Sequence, residues 1–192
     1  GAVDDPGHDP EVSLAPGETP APTPEPTAEP TPTPAPIREA MDVEIVSKPK
    51  AVFASQATVT WCASAGVQMT LAVLGLGDTS LDLQKELQRK VRTWEAYDDS
   101  HNGDWGPSAM ALALDDYGAP GYEVRAYRTR SGAMRDAAKA ILETNSPVIL
   151  LAWRGAHTWV MTGFRADADP TVFPDAHIEG AYVLDPWYPW VS

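Results

Sequence analysis

A single cysteine, Cys62, serves a chain of 192 residues. No internal disulfide can form, so the cysteine count says nothing of an oxidising compartment. Bases are scarce: 14 Lys and Arg stand against 27 Asp and Glu, for a net charge of −13. Without a basic patch or an Arg/Lys stripe, the chain is not built to hold nucleic acid or an anionic membrane surface. No run approaches the ~20 apolar residues of a membrane-spanning helix, so none is expected. Metal-ligand spacing is missing too. "DADP" and "HNGD" supply acids and a His but none of the patterns that hold zinc or calcium, so neither metal nor cofactor is expected. No internal repeat is visible, and residues 1–37 lack aromatics altogether.

What those first 37 residues do have is proline, eleven of the nineteen, alternating with Ala, Thr and Glu in "TPAPTPEPTAEPTPTPAP". A segment with so little apolar surface cannot offset its ordering entropy. Residues 1–40 are therefore read as a disordered or extended linker, semi-rigid at about 3 Å per residue. They carry −7 of the charge, eight acids against Arg38. A Pro/Thr-rich spacer ahead of a domain is common in exported bacterial proteins, so an extracytoplasmic place, secreted or at the cell surface, is expected. The chain opens "GAVDDP" with no Met and no signal peptide, as a processed terminus does. Residues 41–192 are one domain's length of chain, read as a monomer.

Along that domain, "MDVEIVSKP" (41–49) alternates as a first strand or extended lead-in. "CASAGVQMTLAVL" (62–74) is a helix buried on most sides, stopped by Gly75 and Gly77. "TSLDLQKELQRKVRTW" (79–94) has a Thr/Ser cap and an apolar stripe through Leu81, Leu87 and Val91. After the polar loop "EAYDDSHNGDWG", "PSAMALALDDYG" (107–118) has Pro at a helix start and Gly at its end. "YEVRAYR" (122–128) alternates as a strand, and "SGAMRDAAKAILETN" (131–145) is an amphipathic helix. "PVILLAW" (147–153), "HTWVMTGF" (157–164) and "GAYVLDPW" (180–187) are strands, the first buried on both faces. Helices first and strands last predict an α+β fold, a helical lobe packed on a mainly antiparallel sheet.

Cys62 opens the apolar helix, where unpaired backbone N–H groups stabilise a thiolate. Of four histidines, His8 lies in the proline-rich segment, and His101 and His177 lie in polar loops. His157 opens a strand at the edge of the core, held by a rigid element, and is the candidate base. An imidazole base needs an acceptor on its other nitrogen, and Asp185, ending the next strand before Pro186 leads the chain away, can supply it. Gln56, six residues before Cys62, offers a side-chain amide to an oxyanion beside the Cys62 backbone N–H. Each residue alone has a plain structural role: a small core thiol, a hydrogen-bonded histidine, a strand cap, a loop amide. Their joint order points to nucleophile, base, orienter and oxyanion donor.

These residues resemble a known family. "QATVTWCASAGVQMTLAVLG", "PVILLAW", "HTWVMTGF" and "VLDPWY" are similar to the papain-like cysteine peptidases related to the bacteriocin-processing domain that trims double-glycine leaders, above all its stand-alone exported "peptidase-like" branch. The likeness runs from about Ala51 to the end of the chain. It implies a papain-like cysteine peptidase fold, with Cys62, His157 and Asp185 as catalytic triad and Gln56 in the oxyanion hole. The implied activity is hydrolysis of a peptide bond in a peptide or protein substrate, through a thioester. One departure is an inserted loop, "ADADPTVFPDAHIEG", which lengthens the stretch between His157 and Asp185 and is placed to cover the cleft or shift Asp185 out of register.

Two other functions share these features. A transglutaminase-like acyltransferase has the same Cys–His–Asp order, although the Gln56 spacing and the Asp-Pro ending favour a peptidase. A catalytically inactive peptide- or glycan-binding module on a stalk would use the seven tryptophans. Trp153 and Trp159, in apolar strands, are expected in the core. Trp105, Trp187 and Trp190 are candidates for a cleft lip, and Trp61 shapes a substrate groove beside Cys62.

Overall fold

The structure, a computed structural model, describes residues 34–95, 99 and 105–189. The expected spacer up to residue 33, His101 and Trp190 lie outside the described residues. The elements are β1 (Met41–Glu44), α1 (Pro49–Val52), α2 (Cys62–Val73), α3 (Leu81–Lys90), α4 (Pro107–Asp116), α5 (Arg130–Thr144), β2 (Val148–Ala152), β3 (His157–Ala166) and β4 (Ile178–Leu184), with 3-10 turns at Val91–Thr93 and Trp153–Gly155. The chain thus has the α+β plan that its order of elements predicts, an α+β peptidase-like fold.

Local chemistry sets the helix ends. The Ser80 hydroxyl accepts the Leu83 N–H at the start of α3, and Thr129 does the same for Gly132 at α5, each meeting one of the orphan donors of a first turn. Pro107 begins α4, where its missing N–H is not needed, and Asn145 ends α5 in the left-handed region at φ 50°. Helix α2 has no polar face: Ala63 through Leu71 are all buried, so it is enclosed by its neighbours. One side packs with α3 and α4 through Val67, Leu71, Leu87, Trp94, Met110 and Leu114. The other faces the sheet. A second cluster, Ala138, Ile141, Met161 and Phe164, seats α5 on that sheet. Each fully buried side chain of this size contributes roughly 1.5–3 kcal/mol.

Strand β3 is the spine of an antiparallel sheet. It pairs with β4 from Val160↔Leu184 to Ala166↔Ile178. On its other edge it takes β2 along His157–Met161 and β1 along Gly163–Ala166. Gly163 permits this: a Cβ there would stand 2.1 Å from the Val43 carbonyl oxygen.

Four expectations need correction. Residues 122–128 form no strand; Val124 and Tyr127 are exposed, and alternation without a neighbouring edge gives no ladder. The segment is tied instead by the Tyr122 hydroxyl, which donates to the Pro147 carbonyl at 3.0 Å and whose burial pushes its pKa up to about 12. Strand β2 is not buried on both faces: it pairs with β3 alone, and Leu151 is exposed. Leu81 is exposed as well, so the buried stripe starts one turn later.

Lastly, the loop after β3 lies away from His157 and leaves Asp185 in register with it, the two 2.7 Å apart. It follows Ala166, at the end of β3 opposite His157, about 30 Å away for a ten-residue strand. There Arg38 clamps it, donating to Asp167 and Asp175 at 3.0 Å each, with its guanidinium over the Phe173 ring. The His177 backbone N–H, followed by Arg38, holds Asp167 below the usual carboxylate range, and Arg38 does so for Asp175.

Candidate active site

A third apolar cluster, Ala54, Met69, Val160 and Leu184, fixes the place of the four expected residues. Each member lies in the same chain segment as one of them. Ala54 precedes Gln56, Met69 lies in the helix that Cys62 opens, Val160 follows His157, and Leu184 precedes Asp185. Four distant chain segments meet because their apolar residues share one core.

His157 and Asp185 are brought together directly. Imidazole Nε2 lies 2.7 Å from Asp185 Oδ1, across the register that Val160↔Leu184 begins. A carboxylate only accepts, so the ring donates from Nε2. The same Oδ1 accepts the Trp187 N–H at 2.9 Å. His157 is 1% exposed, and its Nδ1 is buried with no hydrogen-bond partner. A buried basic nitrogen left free is costly unless something is meant to meet it.

Cys62 is half-buried at the first position of α2. Its thiol is not hydrogen bonded to the imidazole. Gly66 lies one turn further along the same helix face. A Cβ on Gly66 would stand 2.4 Å from Thr158 Cγ2, so α2 lies directly on the first residues of β3. Gly66→Ala tests that approach. Helix propensity alone favours Ala by roughly 1 kcal/mol, whereas overpacking a tight contact costs about 1–3 kcal/mol. Because Thr158 is itself buried, overpacking should win. Urea unfolding should show a net loss, recovered in the double variant with Thr158→Ser, which removes Cγ2.

Gln56 is buried at 2% exposure. Its backbone N–H donates to the Pro186 carbonyl at 2.8 Å, joining the loop before α2 to the segment after β4. One proton of its amide goes to the Thr58 carbonyl at 2.8 Å, leaving the second for another acceptor. Two glutamines not singled out in the sequence hold this loop. Gln84 accepts the Ala57 N–H and donates to the Ser55 carbonyl and to Gln68, which in turn donates to the Asp78 and Ser80 carbonyls. The available signal was an amide at position 84 on the Leu87–Val91 face of α3, and another inside an otherwise apolar α2.

The tryptophans divide differently from expectation. Trp187 does reach the site, its ring edge-on to His157 at 5.4 Å. Trp61 is half-buried beside Cys62, its carbonyl accepting from Ser64 and Ala65. Trp105 instead packs in the helical lobe, against Trp94, with its N–H donated to Gln88; aromatic area found a core there rather than a cleft. Trp159 is half-buried, while Trp153 is 63% exposed and not in the core, because it lies in the turn between β2 and β3. A shallow depression lined by Phe53, Gln56, Thr79, Leu81, Gln84 and Pro189 flanks the Gln56 loop but touches neither Cys62 nor His157.

The fold is that of a peptidase-like α+β domain. A family model described as "Peptidase_C39 like family" matches residues 43–192. The chain belongs to that family, which carries a cysteine-peptidase character. No curated protein and no solved structure matches it.

Proposed function

We propose that the chain is a cysteine peptidase acting on peptides or proteins outside the cytoplasm, as a monomer, with Cys62 as nucleophile, His157 as base, Asp185 as orienter and Gln56 as oxyanion donor. Nδ1 of His157 takes the thiol proton as sulfur attacks the peptide carbonyl. The Gln56 amide and the backbone N–H of Cys62 receive the oxyanion. The imidazolium then gives its proton to the leaving nitrogen, the C–N bond breaks, and a thioester is left on Cys62. Water, deprotonated at the same Nδ1, attacks the thioester; the C–S bond breaks, the acid is released, and the sulfur takes back the proton from Nδ1. Asp185 keeps the ring in the tautomer and direction these transfers need.

The observation supporting this most is the hydrogen bond at 2.7 Å between buried His157 and half-buried Asp185, with Nδ1 left free. The reading is tested by alkylation. Iodoacetamide at pH 6–7 should label Cys62 quickly in the folded protein, and His157→Ala should slow that labelling at least tenfold. Labelling seen only after unfolding would make Cys62 a core thiol. Transfer of the acyl group to an added amine in preference to water would move the assignment to an acyltransferase.

A further inference from the structure

We infer that Trp153 is a specificity-determining residue: it forms the wall against which the residue immediately after the scissile bond packs, and so selects peptides with a bulky apolar or aromatic side chain there. The inference rests on the peptidase function proposed above and names the substrate class of that site.

Trp153 is mostly exposed, yet it is not loose. Its indole stacks on the His157 imidazole, with centroids 5.2 Å apart and planes at 22°. Trp159 meets it edge-on at 6.0 Å. The backbone enforces this placement. Ala152 and His157 are register partners across β2 and β3, so residues 153–156 are a hairpin loop with a fixed base. Within it Trp153, Arg154 and Gly155 have φ of 51°, 63° and 89°. Two successive non-glycine residues in the left-handed region are rare, and for a bulky side chain such a backbone is an outlier that surrounding structure must impose. The turn folds the indole back over the imidazole while leaving most of its surface to solvent.

Chemistry then says which part of a substrate meets that surface. His157 protonates the leaving nitrogen, which must come within about 3 Å of Nδ1 to receive the proton. The side chain attached to that nitrogen is therefore within one residue's reach of an indole stacked on the same ring. An exposed, rigidly held tryptophan offers large apolar area at little entropic cost. A wall of this kind discriminates between a large apolar side chain and glycine by about tenfold or more.

Shielding of the imidazole from water is the alternative role, and the two give different results. Full-length wild-type protein, Trp153→Ala and Trp153→Phe are each incubated with a random-sequence peptide library, and the new N-termini are read by mass spectrometry. Wild type should yield N-termini enriched in Phe, Tyr, Trp, Leu and Met. The preference for Phe over Gly, measured as a kcat/KM ratio on a matched peptide pair, should fall at least tenfold in Trp153→Ala and survive in Trp153→Phe. Iodoacetamide labelling of Cys62 in each variant reports that the site is intact. Equal loss on both peptides, or an unchanged ratio, overturns the role of Trp153 but leaves the peptidase assignment standing, because wild type still cleaves and Cys62→Ser does not. No cleavage by wild type overturns both.

Discussion

Cys62→Ser should fold as the parent does and lose peptide hydrolysis by about 10⁴-fold or more, as removal of a covalent nucleophile does. The exchange replaces sulfur by oxygen at a half-buried first helical position, where serine fits without a cavity. Circular dichroism and the urea midpoint should therefore stay within about 0.5–1 kcal/mol of the parent. Chemistry fails for a different reason. A hydroxyl is far less nucleophilic than a thiolate, and the proposed base, Nδ1 of His157, would have to take its proton at the moment of attack. Retained turnover on a cleaved peptide would show that another group attacks and would remove Cys62 from the mechanism.

How far the sequence foretold this depends on what each signal measures. The helices α2, α3 and α4 were legible because caps and breakers are local: Gly75, Ser80 and Pro107 act within one turn of themselves, while α5 showed itself by amphipathic spacing. The His157–Asp185 pairing was legible because antiparallel neighbours reverse direction, which puts the end of one strand beside the start of the next. What the alternation of residues 122–128 could not reveal is whether a free edge lies beside them. What the apolar run of β2 could not reveal is how many neighbours it has, and an edge strand with one partner leaves Leu151 in water. Trp153 was misjudged for the same reason. Its neighbours "PVILLA" are apolar, but the strand ends at Ala152 and a left-handed turn begins at the tryptophan. Gln68 and Gln84 carried too little local signal, since an amide becomes a structural strut only once burial removes its water. The long stretch after β3 emerges at the end of the sheet remote from His157, where Arg38 holds it.

Asp185→Ala should be the more damaging of two substitutions that separate orientation from charge. Oδ1 of Asp185 satisfies both His157 Nε2 and the Trp187 N–H. Removing it leaves an imidazole at 1% exposure with neither nitrogen paired, at a cost of about 1–3 kcal/mol in stability. The ring then has no reason to keep its proton on Nε2, and kcat/KM should fall by about 10³–10⁴-fold. Asp185→Asn retains an acceptor oxygen of the same shape. If the carboxylate acts by direction, the asparagine variant should match the parent's urea midpoint and lose only about 10–100-fold in kcat/KM, the cost of an amide that can also present its NH₂ group to the ring. Equal damage by both substitutions would mean that the negative charge itself supports the imidazolium in the transition state. Near-normal turnover in Asp185→Ala would mean that the ring is held by its aromatic surround, Trp153, Trp159 and Trp187, and that the 2.7 Å contact is structural alone.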